Sequence, residues 1–242
     1  MFIHLLHLGR ISYAEGLAIQ QQVVAARKQN RIADTLLLLE HPPVLTLGRN
    51  ADRSNILANE VWLRERGIEL HEINRGGDVT YHGPGQLVGY PIVDLRGDLP
   101  GKRGPHLGPV DFIRLLEEVL IRTCGEFGVM AQRIPKRTGV WTIPGGSIPE
   151  RKIAALGIHV SQAVTSHGFA LNVTTDLRDF QWIVPCGIAD REVTSLEVEA
   201  DVDHQPTMES AMNAAARNFG RVFERQILRT ESVEQLLGVE RR

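Results

Sequence analysis

The chain has 242 residues, enough for one sizeable hydrophobic core or at most two small ones. Hydrophobic residues make up 43% and charged residues 23%, the balance of a soluble globular protein, and the formal net charge of −2 advertises neither nucleic acid nor a membrane as partner. Two cysteines, Cys124 and Cys186, cannot form a disulfide scaffold or a four-ligand zinc site, no apolar run approaches the ~20 residues of a membrane helix, and the N-terminus lacks the pattern of a signal peptide. A cytoplasmic chain with reduced thiols is expected.

In chain order, residues 2–8 read as a strand, and Tyr13 to Gln29 as a helix with apolar positions 17, 19, 23 and 24. The run Thr35-Leu-Leu-Leu-Leu suits a buried strand and stops at the prolines of Glu40-His41-Pro42-Pro43. Val44 to Leu47 is a second strand, Glu60 to Arg66 a short helix closed by Gly67, and Glu69 to Ile73 a further strand. Arg75-Gly76-Gly77-Asp78-Val79-Thr80-Tyr81-His82-Gly83-Pro84-Gly85-Gln86 gives up helix and strand propensity yet crowds polar groups together. That combination marks a ligand site more readily than a connector, although a polar surface turn shares the composition.

Leu87 to Leu95 reads as a strand, with Pro91 indicating an edge or a bulge. Arg96 to Pro109, rich in Gly, Pro and Arg, is expected to be a mobile loop. Val110 to Phe127 is an amphipathic helix, with Phe112, Ile113, Leu115, Leu116, Val119 and Leu120 as its stripe. Gly139 to Ile143, Lys152 to Val160 and Phe169 to Val173 are strands, Met208 to Gln226 is a helix, and Val233 to Leu237 a shorter one. Strands and helices mix without a βαβ rhythm, which predicts an α/β or α+β domain with a mixed sheet flanked by helices. The whole of 1–242 is expected to be one catalytic domain, with a core over about 34–220 and a helical tail over 221–242.

Cys186 sits between Pro185 and Gly187 on an apparent turn, whereas Cys124 lies among apolar helical neighbours and reads as structural. A reachable thiol on a tight loop is a nucleophile if something lowers its pKa from about 8.5; packing is the plainer use of a lone cysteine. Lys152 opens an uncharged run, Ile153 to Gly157, and could direct its ammonium into a pocket; from these residues alone a solvated strand-end lysine is the commoner arrangement. His41, His159 and His167 show no metal-motif spacing, and no metal site is expected. In His167-Gly168-Phe169-Ala170-Leu171-Asn172 the small residues would let backbone amides approach a ligand, but a β-turn explains the run nearly as well.

Taken in order, Arg75–Gln86, Lys152-Ile-Ala-Ala-Leu-Gly157, His167–Asn172 and Pro185-Cys186-Gly187-Ile188 resemble the octanoyltransferases of protein lipoylation, the lipoate-protein ligase B family, over about Asp34 to Glu197. The resemblance implies the catalytic fold of lipoate and biotin protein ligases. It also implies transfer of an octanoyl group from octanoyl-acyl carrier protein to a lysine of lipoyl domains, those of the 2-oxoacid dehydrogenase complexes and the glycine cleavage H protein, as the first step of lipoate attachment. Carried over position by position, Cys186 is the acyl-thioester nucleophile and Lys152 lowers its pKa. Arg75, Gly76, Gly77, Asp78, Val79, Thr80, Tyr81 and His82, with Ala155, Leu156, Gly157, Gly168, Phe169 and Ala170, line the acyl pocket. No cofactor is expected. The Arg96–Pro109 loop and the Pro144–Pro149 insert are where family members are expected to differ.

The resemblance leaves the oxyanion donors open between amides near Gly77 and near Gly157, and gives His82 a role in orienting substrate or shaping the pocket. Acidic carrier proteins make Arg49, Arg53, Arg96, Lys102 and Arg103 candidate contacts, with a solvated loop as the alternative. The rival readings are an ATP-dependent lipoate or biotin ligase, a cysteine hydrolase using His82 or His167, and a non-catalytic module that binds acyl groups or lipoyl domains. Cys186 and the Lys152-Ile-Ala-Ala-Leu-Gly motif argue against the ligase, and retention of both Cys186 and Lys152 against the binding module.

Overall fold

A strand with no polar face must be covered on both sides, and the leucine run at Thr35–Glu40 is buried there almost completely. It is β2 of a computed structural model that describes residues 1–145, 149–184 and 192–238. Around it stand β1 (Phe2–Arg10), α1 (Tyr13–Lys28), β3 (Val44–Leu47), α2 (Glu60–Glu65), β4 (Glu69–Glu72), β5 (Val79–His82), β6 (Gln86–Ile92) and α3 (Pro109–Gly125). The chain continues through β7 (Ala131–Ile134), β8 (Arg137–Thr142), β9 (Lys152–Ser161), β10 (Val164–Asn172), α4 (Leu196–Glu199), α5 (Met208–Val222), β11 (Gln226–Arg229) and α6 (Val233–Leu237).

Eight strands form the main sheet in the order β11-β1-β2-β6-β10-β9-β8-β7. It is parallel at β11/β1 and β1/β2 and antiparallel elsewhere, a mixed sheet. A smaller sheet, β4-β3-β5, carries the glycine-rich segment. The amphipathic helices α3 and α5 cover one face of the main sheet, where Phe112, Phe219 and Phe223 pack in one cluster with Leu36, Leu38 and Leu87. On the other face Val23 of α1 and Leu236 of α6 meet Leu37, Leu39 and Val88. A third cluster fills the space between the small sheet, α2 and a 3-10 turn at Leu177–Trp182.

Several elements differ from the sequence reading. Pro91, which reads as an edge or a bulge, lies in β6, an interior strand flanked by β2 and β10, so the edge alternative falls. The Pro91 carbonyl accepts from the Thr165 hydroxyl (2.7 Å), so its N–H-less nitrogen also faces β10, where His167 takes a left-handed φ of 56° and ladder pairing lapses. α5 stops at Val222, and Gln226–Arg229 turns back as an edge strand parallel to β1. α1 buries Tyr13, Gly16, Gln20, Val23 and Ala26 rather than a purely apolar stripe, because Gly16 admits the His41 ring and Gln20 accepts the His167 N–H. No helix or strand forms across 96–108, but Leu99 and Leu107 are buried in the core.

Glu117, on the apolar side of α3, is fully buried. Its carboxylate accepts from Arg114 Nη1 (2.6 Å) and the Gly139 N–H (3.1 Å) and is ion-paired with Arg133, whose Nε lies 3.3 Å away, and so clamps α3 to β7 and β8. Glu117→Ala leaves two arginines and an amide without that acceptor, and a loss of about 3 kcal/mol in urea unfolding is expected. A change of a few tenths would mean that the clamp is replaced by water.

Candidate active site

The glycine-rich segment is held from both sides. Arg75 is buried and donates through Nη2 to the Thr46 carbonyl (2.8 Å) and hydroxyl (2.9 Å) on β3. The Gly76 N–H donates to the Ile158 carbonyl (3.0 Å), tying the segment to β9. The approach is too close for a side chain opposite: a Cβ added to Gly157 would lie 2.7 Å from the Gly76 oxygen. Beyond Gly77, the four residues of β5 alternate. Thr80 and His82 face the cavity between the two sheets, while Val79 and Tyr81 point into the third cluster, with Tyr81 Oη donating to Asp179 (2.5 Å). Asp78 turns away as well, accepting from the Asp52 N–H (2.9 Å) and from Asn55 Nδ2 (2.5 Å). The expectation that all of Arg75–His82 lines one pocket is therefore narrowed: Arg75, Gly77, Thr80 and His82 border the cavity, and Gly76, Asp78, Val79 and Tyr81 brace it.

The opposite wall comes from β9 and β10, whose register sets Ala155 beside Ala170 and Gly157 beside Gly168. Ala155, Leu156, Gly157, Gly168, Phe169 and Ala170 all border the cavity. Tyr13, Ile73, Val88, Tyr90 and His167 border it too and were not anticipated there. They arrive from separate elements with no shared spacing; only the small residues after His167 hinted at a site.

One end of the cavity is a cluster of buried rings. His41 Nε2 and Tyr90 Oη share a hydrogen bond (2.8 Å), His82 Nδ1 meets Gln86 Oε1 (2.7 Å), and His167 Nε2 meets Asn74 Oδ1 (2.8 Å). Burial, reinforced by His41 and Arg75, pushes the His82 pKa down to about 3; burial, then Arg75, brings His167 to about 4. Both rings are neutral at pH 7. Burial also raises the Tyr13 phenol to about 12. The unfolded chain thus binds protons below about pH 6.5 that the fold refuses, so stability held above that pH is lost as pH falls toward 4. The urea midpoint should fall between pH 7 and 4.5, and by less in His82→Asn; an equal fall in both would contradict the burial of a neutral His82.

Lys152 is not the solvated strand-end residue that its surroundings in the sequence favoured. It is 7% exposed, with Nζ 5.4 Å from the centre of the Trp141 ring. It borders a second cavity with Gln86, Asn172 and Phe180, and this cavity shares Thr80, Ala155 and Ala170 with the first. Its backbone is bonded on both sides to the segment after residue 191: its N–H donates to the Glu192 carbonyl (2.9 Å) and its carbonyl accepts from the Thr194 N–H (2.9 Å). Asn172 Nδ2 donates to the Thr194 carbonyl (2.8 Å), and Val184 N–H to the Asn55 carbonyl (2.7 Å). Cys186, with the rest of Pro185–Ile188, lies outside the described residues, as do positions 146–148 of the proline-bounded insert. Cys124 is buried in α3 and its thiol is pushed up to about 12 by burial, which suits a structural residue.

Of the basic residues considered for a carrier protein, Arg53 is paired with Glu72 and Glu60, and Arg96 with Asp94. Among the described residues no three His, Cys, Asp or Glu side chains gather as metal ligands, and no helix is long and apolar enough to cross a membrane.

This arrangement has close counterparts. Residues 12–220 match the lipoyl protein ligase A/B catalytic domain. The chain is 63% identical over 238 residues to the octanoyltransferase of Acidobacterium capsulatum, covering 98% of this chain and 96% of that one. It is 52% identical over 235 residues to the octanoyltransferase of Koribacter versatilis, covering 97% and 90%. Among solved structures, the bi-partite lipoate protein ligase of Thermoplasma acidophilum superposes with a TM-score of 0.69 at 17% identity, covering 100% of this chain and 98% of that one, which bears on the fold. The mixed sheet with its interposed cavity is the lipoate protein ligase catalytic fold, and the chain belongs to the lipoyl protein ligase A/B catalytic family, within it to the octanoyltransferases.

Proposed function

We propose that the protein moves an octanoyl group from octanoyl-acyl carrier protein to one specific lysine of a lipoyl domain, through a thioester on Cys186. The observation that supports this most is the burial of Lys152 beside a cavity that shares Thr80, Ala155 and Ala170 with the larger pocket. An ammonium placed there favours a nearby thiolate over the thiol. Hydrogen bonds from Lys152 N–H to the Glu192 carbonyl, from Thr194 N–H to the Lys152 carbonyl and from Val184 N–H to the Asn55 carbonyl fix the chain on either side of the segment that contains Cys186.

In the first half-reaction the Cys186 thiolate attacks the carrier thioester. The bond from carbonyl carbon to carrier sulfur breaks, and the carrier leaves as a thiolate that takes up the proton of the Lys152 ammonium, which leaves that amine neutral for the second half-reaction. One thioester replaces another, so this step is nearly balanced. In the second, the neutral amine of the lipoyl-domain lysine attacks the Cys186 thioester. Lys152 accepts the proton lost by that amine, whose ordinary pKa near 10.4 otherwise holds it protonated, and passes it to the departing Cys186 sulfur. An amide replaces a thioester, which is downhill, and no nucleotide is consumed. Amides near Gly77 or Gly157 are the candidate donors to the oxyanion.

The acceptors in this reading are the lipoyl domains of 2-oxoacid dehydrogenase complexes and the glycine cleavage H protein. The enzyme works in the cytoplasm as one catalytic domain over 1–242. The test is reconstitution from purified protein, octanoyl-carrier protein and a lipoyl domain without ATP. One octanoyl group is expected on a single lysine of the lipoyl domain. A strict requirement for ATP would contradict the proposal and favour a ligase that activates free acid.

A further inference from the structure

Three cavities follow one another along the β9–β10 hairpin. The first adjoins Lys152 and Asn172; the second is the acyl pocket at Ala155–Gly157 and Gly168–Ala170. The third lies beyond, between the hairpin and α1, where Gln20, Lys28, Asn74, His159 and Ser166 border it. Among the described residues, His167 alone borders both the second and the third. It is paired in register with Ile158, one step past the Gly168–Gly157 pair.

His167 is held in place. Its N–H donates to Gln20 Oε1 (2.5 Å), its Nε2 meets Asn74 Oδ1 (2.8 Å), and its ring stands edge-on to Tyr90 at 6.4 Å between centroids and 89° between planes. Its φ of 56° is left-handed, a conformation that costs a non-glycine residue free energy and persists only where its surroundings impose it. From Ala155, which borders both the Lys152 cavity and the pocket, to Ile158 is three strand residues, or about 10 Å. An extended octanoyl chain spans about 9 Å at ordinary carbon–carbon bond lengths.

We propose that His167 is the chain-length stop of the acyl pocket: the terminal methyl of an octanoyl group reaches its ring, and longer acyl chains are refused because the ring closes the passage to the third cavity. This rests on the octanoyl-transfer reading above. The neutral ring offers the methyl end no charge to desolvate, and the space behind it is what a longer chain would occupy.

His167→Gly tests the proposal, because glycine accepts the left-handed φ while removing the ring. Transfer from octanoyl-, decanoyl- and dodecanoyl-carrier proteins is compared, with thermal melts to establish folding. The dodecanoyl-to-octanoyl ratio of kcat/KM should rise at least about tenfold over the wild type, the discrimination that a single methylene commands in a fitted pocket. Asn74→Ala, which releases the ring without removing it, should shift the ratio the same way by less, and decides the matter if the glycine variant does not fold. An unchanged ratio in the folded variants overturns the proposal. A wild type that transfers no octanoyl from the carrier would strike the transfer reading instead. The partition is then read from calorimetric binding of free octanoate and dodecanoate, where the same shift supports it and none overturns it.

Discussion

Cys186→Ser should lower octanoyl transfer by about 10³-fold or more while leaving thermal unfolding unchanged. The substitution keeps the shape of the side chain and removes its reactivity. A hydroxyl is scarcely ionised at neutral pH, and a neighbouring ammonium cannot bring it into range as it can a thiol of ordinary pKa about 8.5. The second half-reaction suffers as well: an octanoyl ester on serine is a poorer acyl donor to an amine than a thioester, so any acylated variant would stall. Steady-state transfer to a lipoyl domain, followed by mass spectrometry of the domain, measures the loss. A serine variant retaining more than a tenth of wild-type activity would mean that the acyl group passes directly from carrier to lysine, with the pocket serving only to align them.

The second large effect is expected at Lys152. Lys152→Met keeps a flexible stem of similar length against Trp141 and in the cavity beside Asn172, so the fold should persist. In the proposed mechanism it removes both the charge that favours the thiolate and the group that accepts the amine proton. A loss of about 10² to 10⁴ in kcat is the usual range for a positioned acid–base group. Its pH dependence separates a catalytic role from a structural one. Acylation of the variant should climb with pH as an unassisted thiol ionises, up to about 8.5, while the wild type is already near its plateau at neutral pH. Full activity at pH 7, or a pH profile parallel to that of the wild type, would assign Lys152 to packing alone.

Legibility in the sequence followed how local the cause was. The leucine run of β2, the short helix at Glu60–Glu65 and the strand at Val44–Leu47 are set by composition and by adjacent Pro or Gly, and they stand where the pattern predicts. β5 escaped notice because its four residues lie inside the glycine-rich segment, and β11 because Gln226–Arg229 has a single apolar pair and continues a helical pattern. Pro91 reads as an edge or a bulge because nothing near it in sequence shows that its pairing with β10, about 75 residues later, ends at Gly89–Phe169 and gives way to a Thr165 hydroxyl. Glu117 and Gln20 are buried for partners on other elements, which hydropathy cannot register.

The site divides in the same way. The segments with closely spaced glycines were legible because two backbones that nearly touch, as at Gly157 and Gly76, exclude a Cβ. Tyr13, Tyr90 and His41 were not, since they converge from α1, from β6 and from the turn after β2 only on folding. Within Arg75–His82 the alternation of β5 decided which residues face the cavity, and that required knowing a strand was there. Burial of Lys152 depends on Trp141, the 192–194 segment and Asn172, none of them its neighbour in sequence.

The covalent intermediate is the centre of the proposed mechanism, and intact-protein mass spectrometry reaches it most directly. Protein incubated with octanoyl-carrier protein, with no ATP and no lipoyl domain, should gain the mass of one octanoyl group. Peptide mapping should place it on Cys186, hydroxylamine should release it as expected of a thioester, and a lipoyl domain should discharge it. Product formed at full rate with Cys186 unmodified at every time point would contradict the account.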